Sequence, residues 1–125
     1  MANILLIEDD PSISNAYAWA LAHTGYHVIL ASRGSQALDI IEHQTFDILL
    51  LDLLMPELGG LEFLERGDFH QRFPQTKIII LTTVENPKLK ERAASLGALH
   101  YLIKVEYTPY GLARSLAGLL KSASN

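Results

Sequence analysis

Glu8, Asp9 and Asp10 stand together at the end of an aliphatic run, NILLI, and a separate acid, Asp52, follows a second run, ILLL. Two further runs, KIIIL and LHYLI, end at Thr82 and Lys104. Clustered carboxylates bind hard divalent cations through oxygen. A lone carboxylate can act as a nucleophile and form a covalent acyl phosphate. A hydroxyl and an ammonium can hold and neutralise the oxygens of a transferring phosphoryl group. These groups meet only if the four runs lie side by side with their ends aligned. An open parallel sheet does this, and its ligands bind at the carboxyl ends of the strands.

The elements needed for such a sheet alternate along the whole chain. Ile4 to Ile7 are continuously aliphatic, as expected of a strand buried on both faces. Pro11 suits a first helical turn, with Asp10 as its N-cap, and Gly25 can end that helix. Ile13, Ala16, Tyr17, Ala20 and Leu21 recur at helical spacing. Trp19 falls in the same helix and is expected to pack. Val28 to Ala31 form a second strand, and Ala37, Leu38, Ile40 and Ile41 lie on a second helix. Ile48 to Leu51 make the third strand, and a third helix begins with Leu61, Phe63 and Leu64. Ile78 to Leu81, a helix over Leu89 to Leu96, and Leu99 to Ile103 follow. Pro109 opens the last helix, with Leu112, Leu116, Leu119 and Leu120 on one face. Five βα units with right-handed crossovers give an α/β sandwich with helices on both faces of the sheet. One domain over residues 1–121 accounts for them, and the small polar tail, Lys121 to Asn125, is expected to fray.

Composition narrows the function. The chain has 125 residues, 49% of them hydrophobic, enough for a real core and against disorder. Ten basic and fourteen acidic side chains leave a net charge of −4 with no basic block, which argues against a nucleic-acid surface. Cysteine is absent, removing disulfide and thiol chemistry. No stretch approaches the roughly 18 apolar residues of a membrane span, so a cytoplasmic protein is the expectation. His23, His27, His43, His70 and His100 show no metal-ligand spacing, and His100 should face away from its neighbour Tyr101.

The segments IEDDPS, LLLDLLMPELGG, ILTT and GALHYLIK occur in order, with Thr82 and Lys104 lying 30 and 52 residues after Asp52. In these motifs and spacings the chain resembles a receiver domain of two-component response regulators over nearly its whole length. The resemblance implies a flavodoxin-like fold with a five-stranded parallel sheet in the order 2-1-3-4-5. It implies that Asp52 accepts a phosphoryl group from the phosphohistidine of a histidine kinase or histidine phosphotransfer protein. Such a domain is not a conventional enzyme; it promotes its own phosphotransfer and loses the phosphate slowly. Glu8 and Asp9 match the acidic pair that holds Mg²⁺ (or Mn²⁺) together with Asp52 and the backbone carbonyl of Leu54. Lys104 matches the lysine that pairs with Asp52 or the phosphoryl oxygens. Thr82 and Tyr101 match a switch pair that biases the surface formed by the fourth helix, fifth strand and fifth helix. That surface would engage a downstream protein, an output domain outside this chain, or a second copy.

Several positions keep two readings. Asp10 is a helix cap or part of the acidic cluster; Tyr101 is a switch or simple packing. Val105 stands where the family usually has proline after the lysine, and a trans peptide is expected there. Thr83 replaces a small residue and could narrow access to Asp52. Leu54 and Val84 are apolar at two positions that flank the phosphoryl group and offer nothing to position an attacking water. A pseudo-receiver that binds partners without phosphate is the alternative. A haloacid-dehalogenase-like phosphotransferase fits poorly, since Leu54 stands where its second aspartate would be.

Overall fold

The computed structural model describes residues 2–122. The aliphatic runs become β1 (Asn3–Ile7), β2 (His27–Ala31), β3 (Ile48–Leu51), β4 (Lys77–Thr82) and β5 (Ala98–Ile103). All neighbours pair in parallel, in the order β2-β1-β3-β4-β5. The register brings Ile7 level with Ala31 and Leu51, and Leu51 level with Ile80. The carboxyl ends of β1 and β3 therefore reach the same height, and the residues that follow them emerge together.

Strand alternation divides the core into two layers. Leu5, Ile7, Leu49, Leu51, Ile78 and Ile80 face α2 (Gly34–Ile41), α3 (Gly60–Gly67) and α5 (Pro87–Ser95), meeting Ala37, Phe63, Leu64 and Ala93. Ile4, Leu6, Ile48, Leu50, Ile79 and Leu81 face α1 (Pro11–His23) and α6 (Pro109–Ser122), meeting Tyr17, Leu21, Leu112 and Leu116. Burying each Leu or Ile stabilises the fold by about 1.5–3 kcal/mol relative to exposure. The central strands thus carry the rim on which the polar groups sit.

Two expectations change in detail. The third helix is split: α3 ends at Gly67, Asp68 adopts a left-handed conformation (φ 49°), and a single turn, α4 (Phe69–Arg72), follows. Aspartate tolerates that conformation better than most residues, and Phe69 continues into the core. Trp19 does not pack inside; it is 60% exposed and stacks on His23, with ring centroids 3.8 Å apart. Two residues along a helix turn the side chain about 200°, so Trp19 cannot share the buried face of Tyr17 and Leu21.

Gly25 ends α1 at φ 100°, as its place in the sequence suggests. Gly60 meets a different need: a Cβ there would lie 2.5 Å from the Asp52 carbonyl oxygen. Glycine lets the start of α3 abut the backbone that presents Asp52. Helix α6 runs through Ser122, and residues 123–125 of the expected frayed tail lie outside the described residues.

Candidate functional site

The strand ladder continues one residue past β1 and β3 and so fixes the two acids. The Glu8 N–H donates to the Ala31 carbonyl and the Asp52 N–H to the Ile7 carbonyl, each at 3.1 Å. Both side chains are buried at the rim, while Asp9 projects into solvent. Ligand oxygens of Glu8, Asp9 and Asp52 all lie within 4.8 Å of one another. The expected acidic site is therefore assembled. Asp10 is not among its converging groups: its Oδ1 accepts from the Ser12 N–H at 3.0 Å and the Ser12 hydroxyl at 2.8 Å, capping α1.

Lys104, at the start of the turn after β5, closes the site. Its Nζ donates to Asp52 Oδ2 at 3.3 Å and also to Glu8 Oε1. The remaining oxygens have partners too: Leu54 N–H donates to Asp52 Oδ1 and Asp10 N–H to Glu8 Oε2, both at 3.2 Å. Burial raises the pKa of Glu8, the Asp52 charge adds to this, and the bonds from Lys104 and the Asp10 N–H oppose it. Burial pushes Lys104 the other way, but its bond to Glu8 and the charge of Asp52 outweigh that and raise its pKa. The ammonium is thus held charged between two carboxylates. The Lys104–Glu8 contact spans 96 residues and was not legible in the sequence.

Thr82, at the end of β4, is fully buried, and its Oγ1 accepts from the Val84 N–H at 3.5 Å. The Tyr101 hydroxyl donates to the Val84 carbonyl at 2.6 Å. Burial first, and then the charge of Asp52, raises the Tyr101 pKa. Tyr101 packs against the α5 side of the sheet, whereas His100 meets the Leu119 carbonyl of α6 at 2.8 Å, on the opposite face as expected. Leu54 is 51% exposed beside the acids, Val84 is half-buried and Thr83 is exposed. Val105 is 90% exposed in the 3₁₀ turn Lys104–Glu106, and no peptide bond among the described residues is cis.

Tyr17 enters the sequence pattern only through its helical spacing on α1. Its hydroxyl donates to the Tyr107 carbonyl at 2.8 Å, tying α1 to the loop after Lys104. A tyrosine at a buried helical position was the available signal, because its hydroxyl needs a partner.

Residues 4–110 match the family described as response regulator receiver domain. The chain belongs to that family. As a receiver domain it is 35% identical over 103 residues to the transcriptional regulatory protein CrdR of Helicobacter pylori, covering 81% of this chain and 47% of that protein. It is 34% identical over 102 residues to the transcriptional regulatory protein ZraR of Escherichia coli K12, covering 82% of this chain and 23% of that protein. The receiver domain thus spans half or less of the length of these curated relatives. Its fold superposes on the chemotaxis protein CheY4 of Vibrio cholerae with a TM-score of 0.85, at 30% identity, covering 95% of this chain and 98% of that one. The flavodoxin-like order 2-1-3-4-5 is thereby established. No helix among the described residues is long and apolar enough to cross a membrane.

Proposed function

We propose that this receiver domain accepts a phosphoryl group on Asp52 from a phosphohistidine, with a divalent cation at Glu8, Asp9 and Asp52. The observation that carries this reading is the placement of Lys104 Nζ between the carboxylates of Asp52 and Glu8. A carboxylate nucleophile beside a held ammonium and a second acid group needs little more than alignment and charge neutralisation to receive phosphate.

The donor set fits Mg²⁺ or Mn²⁺: three carboxylates offer only hard oxygen ligands within 4.8 Å, and the open Asp9 side leaves room for retained water. The Leu54 carbonyl would complete the protein ligands. Bound there, the cation supplies neutralisation of the phosphoryl oxygens. An Asp52 oxygen forms the new bond to phosphorus as the phosphorus–nitrogen bond of the donor breaks, and the departing imidazole nitrogen takes a proton. Lys104 follows the charge from Asp52 onto a phosphoryl oxygen. The Thr82 hydroxyl donates to another, drawing Val84 and its loop inward. Tyr101, bonded to the Val84 carbonyl, carries that movement to the surface of α5, β5 and α6, the counterpart of the fourth-helix, fifth-strand and fifth-helix surface.

That surface would engage a downstream protein, an output domain or a second copy of the chain, and the phosphoryl donor would be a histidine kinase or a histidine phosphotransfer protein. A cytoplasmic location agrees with such a donor. Val105 and Thr83 favour the rival reading, a module that binds without phosphate. Phosphoramidate, whose phosphorus–nitrogen bond mimics phosphohistidine, separates the two. Base- and hydroxylamine-labile phosphate should appear on Asp52 with the donor and Mg²⁺. Protein that stays unmodified under those conditions would favour the pseudo-receiver.

A further inference from the structure

The loop that carries Lys104 lacks the proline that would stiffen it, and the side chain of Val105 at that position is 90% exposed. Something else must hold the loop, because a lysine has four freely rotating side-chain bonds and its ammonium has to reach two buried carboxylates. Two bonds do so. The Tyr107 N–H closes the 3₁₀ turn on the Lys104 carbonyl at 3.0 Å. The Tyr107 carbonyl, in the next peptide unit, accepts from the hydroxyl of the buried Tyr17 at 2.8 Å. Tyr17 lies on α1, the helix that starts directly after the acids and is capped by Asp10. A single hydroxyl therefore ties the helix that follows the acidic cluster to the turn that follows the lysine.

We infer that Tyr17 is a positioning residue: through the Tyr107 carbonyl it sets the turn that aims Lys104 at Asp52 and Glu8. A packing role alone would require only the ring, which fills the layer between α1, α6 and the sheet. The hydroxyl adds the aim. The effect on phosphotransfer rests on the reading of Asp52 as phosphoacceptor; the effect on Lys104 does not.

Tyr17→Phe keeps the ring and removes the hydroxyl, so two measurements on this variant test the inference. The first is the side-chain ¹⁵N resonance of Lys104 in unphosphorylated protein, which should shift or broaden when the turn loosens. The second is the rate of Asp52 phosphorylation by acetyl phosphate with Mg²⁺, which should fall about 3- to 10-fold, the scale of one net hydrogen bond. An unchanged Lys104 resonance overturns the inference, as does an unchanged rate in a protein whose wild type is phosphorylated. If the wild type takes no phosphate, the phosphoacceptor reading fails, and the Lys104 resonance alone decides the role of Tyr17.

Discussion

The hydroxyl of Tyr101 donates to the carbonyl of Val84 at 2.6 Å, so the fifth strand already grips the loop that follows Thr82 in the unphosphorylated chain. The side chain reaches this bond from a partly buried position against the α5 layer. Of its two readings from sequence, packing is seen against the α5 layer, and the bond to Val84 is the link through which a switch would act. Tyr101→Phe removes the bond and keeps the packing. Amide exchange at Glu85, whose N–H follows that carbonyl, should accelerate, with the central strands unchanged. The expected loss of stability is about 0.5–1.5 kcal/mol, read from urea unfolding.

Charge at the start of α1 gives a pH-dependent outcome. Hydrogen bonds from Ser12 lower the pKa of Asp10 in the folded chain. A lowered acid pKa contributes stability above the ordinary aspartate range and loses it as pH falls through the folded value. Asp10→Asn keeps a capping side chain that does not titrate. The wild-type advantage over this variant, followed by thermal unfolding, should therefore be greatest near neutrality and shrink in acid.

The exposed acid of the cluster allows the cation to be tested apart from phosphate. Mg²⁺ should raise the melting temperature of the wild type, by the equivalent of about 1.4 kcal/mol when the free ion is roughly tenfold above its Kd. Asp9→Asn should abolish this gain. Because Asp9 lies in solvent, the variant should melt like the wild type without the ion.

Phosphate release is expected to be slow. Leu54 and Val84 are apolar at the two positions expected to flank the phosphoryl group, and neither side chain can orient a water toward phosphorus. Leu54→Asn or Val84→Glu should speed loss of phosphate from Asp52 by roughly tenfold or more, given the usual gain from a positioned acid–base group. Rates unchanged by both substitutions would show that these positions do not govern the lifetime.

Much of this site could be read from the chain because its geometry follows from strand ends. Ile4 to Ile7 and Ile48 to Leu51 are uninterrupted aliphatic runs, and the acids directly after them must share a rim once the strands pair in parallel. The contacts that tune the site are different in kind. The bond from Lys104 to Glu8 and the bond from Tyr17 to Tyr107 join residues 96 and 90 positions apart, and no local pattern encodes them. Asp68 breaks the third helix without any Pro at the break, since apolar spacing carries on through Phe69. Trp19 departs from the packing expectation for a simpler reason: its angle on α1 points it away from the buried face of Tyr17.

Intact mass after incubation with acetyl phosphate, with and without Mg²⁺, tests the central chemistry most directly when wild type is compared with Asp52→Asn. The wild type should gain one phosphoryl group only when Mg²⁺ is present, and the variant should gain none. A wild type that stays unmodified with Mg²⁺, or a variant that is phosphorylated equally, would contradict the assignment of Asp52 as the acceptor.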